Sequence, residues 1–98
     1  MLHQENFVEE CDKIIALFKY KNEMYHDSFF TANSTDLQDA LVNLKRKMVR
    51  IDLIIRNLNY EKNLVLNFQK DSIYENLQDL AVYALMTLIS IKENEQKQ

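Results

Sequence analysis

Glycine and proline are both absent from this chain. Without glycine, the tight primed turns of β-hairpins are hard to build, and an all-β fold needs many of them. Glycine-rich phosphate loops are excluded by count, so there is neither a P-loop nor a dinucleotide fingerprint. Cysteine occurs once, at Cys11. No disulfide can form within one chain, which suggests a reducing compartment. Cys11 falls in line with Phe7, Ile14, Ile15 and Phe18, so a small core hydrophobe is expected there, not a nucleophile. No Cys/His cluster exists, and His3 and His26 are not at zinc-ligand spacing. The longest apolar run, Leu80 to Ile91, is broken by Thr87 and Ser90 and is too short to span a bilayer. MLHQENFVEE at the start is too polar and acidic for a signal peptide. A cytoplasmic, soluble protein without membrane association is expected.

What is present points to one domain. The chain has 98 residues, 47% of them apolar, which is ordinary for a globular protein. Its net charge of −3 argues against nucleic acid as a partner. Apolar periodicity predicts an all-α fold, a bundle of three long helices over about 6–25, 35–58 and 72–92. In the first, Asn6 caps, and Phe7, Cys11, Ile14, Ile15 and Phe18 form the buried face, widened by Val8 and Leu17. HDSFFTANS follows as a connection whose two phenylalanines are expected to pack back on the bundle. Thr35 and Gln38 form a capping box for the second helix. Its seam is Leu37, Leu41, Leu44, Met48, Ile51, Ile55 and Leu58, alternating steps of four and three as in a coiled coil. Residues 59–70 are ambiguous between a short extended piece and an apolar loop. Ser72 and Glu75 form a second capping box, and the tail KENEQKQ is expected to fray.

The third helix holds the main functional clue. It is greasy nearly all round, yet Ser72, Glu75, Asp79, Tyr83, Thr87 and Ser90 recur every three or four positions as one polar stripe. Such a helix should be buried, and surplus apolar groups on it predict a homodimer. A carboxylate there is costly unless a cation, a metal or a donor meets it. Glu75 and Asp79 are four apart and share a face, a spacing that can hold a magnesium ion. Glu75 can instead simply close its capping box, and Asp79 can pair with a lysine or arginine of a neighbouring helix. On the second helix, Lys47 and Arg50 lie on one flank of the seam, Lys45 lies on the other, and Arg46 faces away. Lys47 and Arg50 can hold phosphates or neutralise Asp79 and Glu75. At the first corner, Lys21, Asn22, Tyr25, Asp27 and Ser28 crowd together. Such residues stop a helix that lacks glycine, and they are equally what a nucleobase pocket wants.

At these three clusters the sequence resembles a small phage and bacterial family, nucleotide modification associated domain 1. Its members carry a KN..YGDSF corner, R..DK..R on the next helix, and ES..DTL.DL..YA near the end. Here those read KNEMYHDSF from Lys21, NLKRKMVR from Asn43, and DSIYENLQDLAVYAL from Asp71. Lys21, Asn22, Tyr25, Asp27, Ser28, Lys47, Arg50, Asp79 and Tyr83 are retained. His26 replaces the family glycine, Asn43 an arginine, Arg46 an aspartate, Glu75 an aspartate and Asn76 a threonine. The family in turn is similar to the all-α nucleotide pyrophosphohydrolases of the MazG and dimeric dUTPase group, which split nucleoside triphosphates on magnesium. The resemblance implies a nucleotide-binding protein. Glu75 and Asp79 would then be metal ligands and catalytic groups for Mg2+. Lys47 and Arg50 would hold phosphates, and the Lys21–Ser28 corner with Tyr83 would complete the substrate site. The alternative is a non-catalytic helical interaction module, in which Asp79 pairs internally with Lys47 or Arg50.

Overall fold

The computed structural model describes residues 2–26, 28–33, 36–56 and 73–96. Every regular element among them is a helix: α1 (His3–Met24), α2 (Phe29–Asn33), α3 (Leu37–Arg56) and α4 (Ile73–Gln96). The all-α expectation holds, with one short helix more than periodicity predicted. Leu58, Thr35, Ser72, Asp27 and the segment 59–70 lie outside the described residues, so the readings placed on them find no counterpart here.

Helix boundaries differ from expectation for identifiable reasons. α1 begins at His3, and Leu2 stands at its N-cap in extended conformation with no side-chain cap. Asn6 lies inside the first turn, its N–H donating to the Leu2 carbonyl at 3.1 Å. Glu5, in that same turn, complements the positive end of the helix dipole in place of a cap. α3 is capped by Asp36, whose Oδ1 accepts from the Asp39 N–H at 2.8 Å. α4 continues past residue 92 to Gln96. Lys92, Glu93, Glu95 and Gln96 are good helix formers, so propagation outlasts the apolar pattern.

α1 stops without glycine. Tyr25 is its C-cap, and His26 takes a left-handed φ of 53° while its N–H donates to the Glu23 carbonyl at 3.1 Å. That reversal aims Phe29 inward. Phe29 is buried with Val82, Tyr83 and Met86, and Phe30, Leu44, Ile14, Leu17 and Phe18 pack around this cluster. Each fully buried side chain of this size contributes roughly 1.5–3 kcal/mol.

Most tertiary contact is between α3 and α4. Lys47 of α3 meets Asp79, and Leu44, one turn earlier, packs on the cluster around Val82 and Met86, so the two helices run antiparallel. The buried or half-buried face of α3 is Leu37, Ala40, Leu44, Lys47, Ile51 and Ile54. Leu37, Leu44 and Ile51 of the expected seam are there. Leu41, Met48 and Ile55 are not; each is about half exposed. The interface is turned by one residue because the apolar arc of α3 is wider than the seam, and α4 meets the side bearing Ala40 and Lys47.

The buried face expected for α1 is realised only in part, since Ile14, Leu17 and Phe18 pack on the core while Phe7 and Ile15 are exposed, whereas α4 carries its polar stripe inside as its sequence implies. Among the described residues, none of α1 is buried; Phe7 is 71% exposed and Cys11 is partly exposed. α4 turns its polar stripe inward: Asn76, Tyr83, Thr87 and Ser90 are buried, whereas Leu77, Leu85 and Leu88 face outward. Thr87 meets its need locally, its Oγ1 donating to the Tyr83 carbonyl at 2.7 Å. No described helix is long and apolar enough to cross a membrane.

Candidate functional site

Asp79 lies midway between α1 and α3 and is held from both sides. Lys21 Nζ donates to its Oδ1 at 2.8 Å, and Lys47 Nζ stands 3.7 Å from its Oδ2. All three side chains are about a quarter exposed. The ammonium groups also cover aromatic faces: Lys21 lies 5.6 Å from the Phe29 centroid and Lys47 5.3 Å from that of Tyr83. Cation–π attraction helps hold them in place, while Asp79 offsets one of their two positive charges.

The aromatic rings form a connected row. Tyr25 tilts against Phe29 at 5.5 Å, and Phe29 meets Tyr83 edge-on at 6.2 Å. Tyr25 is half exposed and Tyr83 is buried. Burial pushes the Tyr83 phenol above its ordinary value of 10.0, and the charge of Asp79 adds to this, while Arg46 works the other way. The phenol therefore remains protonated across neutral pH, a donor and not a base.

Beside this row, a cleft of about 820 Å³ runs along α3. Lys45, Arg46, Lys47 and Arg50 line it, with Asn43 and Tyr83. Being consecutive, Lys45, Arg46 and Lys47 fan out around the helix in steps of about 100°, with Arg50 between Arg46 and Lys47, so the cleft follows a broad face of α3. Arg46 was expected to face solvent away from the site. It is exposed, yet it lines the cleft, with Nη1 3.4 Å from Asn43 Oδ1. Lys45 lines it too, although it was assigned to the opposite flank.

Lys21, Tyr25, Lys47, Asp79 and Tyr83 thus form one connected group, and Arg50 stands in the adjoining cleft. Asn22 is half-buried on α1 beside Lys21. Ser28 serves the corner: its hydroxyl and its N–H both donate to the Tyr25 carbonyl. Glu75 is half-buried in the first turn of α4, where its charge suits the helix dipole. Among the described residues, no three His, Cys, Asp or Glu side chains gather as a metal site would need. Phe29 was missed as the residue that joins the two lysines and two tyrosines. Its only sequence signal was the adjacent pair Phe29–Phe30 in an otherwise polar connection.

A second polar cluster ties α1 to the start of α4. The Tyr74 hydroxyl donates to Glu10 Oε2 at 2.8 Å, and Lys13 Nζ reaches Glu10 Oε1 at 3.1 Å. The Tyr74 bond and then Lys13 hold the Glu10 carboxyl below its usual range. Glu10 and then Tyr74 raise the Lys13 ammonium. This cluster is exposed and serves as a brace between helices.

No family model matches this chain, and neither a curated protein nor a solved structure matches it.

Proposed function

We propose that this chain binds a nucleotide by its phosphates in the basic cleft of α3, with Asp79 as an internal counter-ion that positions Lys21 and Lys47. The observation that carries this reading is the convergence of Lys45, Arg46, Lys47 and Arg50 on one cleft in a chain of net charge −3. A concentrated positive site on an otherwise acidic protein selects anions. Guanidinium forks suit phosphate oxygens, and ammonium groups add point charge. In this reading a base stacks on Tyr25, which is half exposed at the far end of the aromatic row. Asn22 and Asp27 belong to the sugar side in this reading.

Magnesium-dependent hydrolysis is the stronger form that the family resemblance implies, with Glu75 and Asp79 as ligands. The donor set does not fit it well. Both Asp79 oxygens face ammonium groups, and a divalent ion would have to displace the two lysines. Binding without turnover is therefore the form proposed, and no chemical step is routed through a metal.

A thermal-shift titration of the full chain with ribo- and deoxynucleoside triphosphates, in magnesium and in EDTA, tests this. The melting temperature should rise with nucleotide in both buffers, and less in high salt. Arg46→Ala combined with Arg50→Ala should remove the shift. Absence of a shift for every common nucleotide would overturn the proposal. Release of pyrophosphate only with magnesium, lost in Asp79→Asn, would replace it with the hydrolytic form.

A second reading has its own observation. The apolar groove between α1 and α4 suits a helical interaction module, in which the Asp79 clamp is purely structural.

A further inference from the structure

We infer that Lys47 is a shared cation for which Asp79 and an anion in the cleft compete, so that the clamp on Asp79 limits how tightly phosphate is held. The inference rests on the phosphate-binding reading of that cleft and adds what regulates it.

The clamp is unequal. Lys21 Nζ donates to Asp79 Oδ1 at 2.8 Å, an ordinary length for a charge-assisted hydrogen bond. Lys47 Nζ stands 3.7 Å from Oδ2, beyond hydrogen-bond length. One carboxylate offsets one positive charge, so with Lys21 seated the second ammonium is only loosely claimed. The two lysines also differ in where they stand. Lys47 lines the cleft beside Tyr83, Arg46 and Arg50; Lys21, on α1, does not. The Tyr83 ring, 5.3 Å from Lys47 Nζ, keeps that ammonium at the cleft wall. An anion arriving on Arg46 and Arg50 therefore meets Lys47 beside it. The charge of a lysine sits on a flexible four-carbon stem, so it can turn from one oxygen to another without backbone movement.

Lys21 is then a positioning residue. It touches no ligand, and by satisfying Asp79 it leaves Lys47 to the anion. Asp79 acts against binding, because Lys47 has to leave it and because its own charge repels phosphate. The same carboxylate ties α1 and α3 to α4, so one group stabilises the fold and weakens binding. A magnesium ligand would do the reverse and strengthen the hold on phosphate.

Isothermal titration calorimetry of the full chain in EDTA tests this, with ATP and inorganic tripolyphosphate as the probes. Asp79→Asn should bind both roughly two- to fivefold more tightly than the wild-type chain, and Lys21→Met should bind both more weakly by a similar factor. In a Lys47→Met background both effects should nearly vanish. Unchanged or weaker binding by Asp79→Asn overturns the inference alone. So does a gain that persists undiminished with Lys47→Met, which would assign it to general charge. A gain with ATP only would place the effect away from the phosphates and also overturn it. If the wild-type chain and Asp79→Asn take up neither probe, the phosphate reading itself fails and the inference with it. If a variant loses helix by far-UV circular dichroism, NMR of the lysine ammonium groups in the wild-type chain decides. Tripolyphosphate should move the Lys47 resonance and leave that of Lys21 in place; movement of Lys21 with Lys47 still overturns the inference.

Discussion

His26 shows how a chain without glycine ends a helix. Its φ of 53° lies in the left-handed region, where histidine is tolerated better than most residues but still at a cost. His26→Gly should therefore stabilise the fold by about 0.5–1 kcal/mol, less than the full strain because glycine also frees the unfolded chain. Urea denaturation would measure this, and a loss of stability would mean that the imidazole holds the corner by contacts of its own. Asp79 poses the sharper question. Its two lysines face each other across one carboxylate, so its removal leaves like charges together in a half-buried site. In metal-free buffer, Asp79→Ala should lose about 1–3 kcal/mol. Pairing it with Lys21→Met should recover part of that loss. A metal ligand behaves oppositely: losing a site that needs a cation should leave the metal-free protein as stable or more so.

At the level of elements, α3 and α4 are legible in period but not in rotation. Leu37, Leu44 and Ile51 were placed correctly because they recur every seven residues at the centre of the apolar arc. Leu41, Met48 and Ile55 were misplaced because Ala40, Lys47 and Ile54 flank the same arc on its other side. Periodicity counts apolar positions, and it does not say that a lysine with an aspartate waiting opposite will join the interface. α4 is the stronger case. Its side chains are apolar on nearly every face, so hydrophobicity could not choose which to bury. The polar stripe went inward because Asp79 and Tyr83 have partners there: two lysines and Phe29. What holds this arrangement is a small apolar centre. Met86 and Val82 are each 1% exposed. Met86→Ala should cost about 2–5 kcal/mol by chemical denaturation. A cost below 1 kcal/mol would mean that the centre collapses around the gap.

For the molecule as a whole, stability should depend on concentration. The apolar area left exposed on α1, α3 and α4 contributes little to a lone chain. If a second copy covers it, each tenfold rise in protein should raise the melting temperature, by mass action. A scan over a hundredfold range of concentration, read by calorimetry, checks this. A melting temperature flat across the range would assign all stability to the single chain. The basic cleft and the apolar groove use different helix pairs, α3 with Tyr83 of α4 in one case and α1 with the outer face of α4 in the other. Both can therefore be occupied at once.

The sequence by itself determined that the chain is helical, where its three long helices run to within a few residues, and that Asp79 needs a positive partner. Helix content follows from local period and from the absence of glycine and proline, and a carboxylate among apolar neighbours needs compensation in any fold. Only the tertiary structure decided which cations answer Asp79. Lys21 is 58 residues away in sequence, and its approach depends on the turn at His26 and on Phe29 filling the space between helices. It also decided that Arg46 and Lys45 join one cleft, and that α1 packs Ile14, Leu17 and Phe18 on the core while Phe7 and Ile15 stay exposed. Those outcomes depend on how far each helix is rotated about its own axis, which long-range packing sets and local pattern does not.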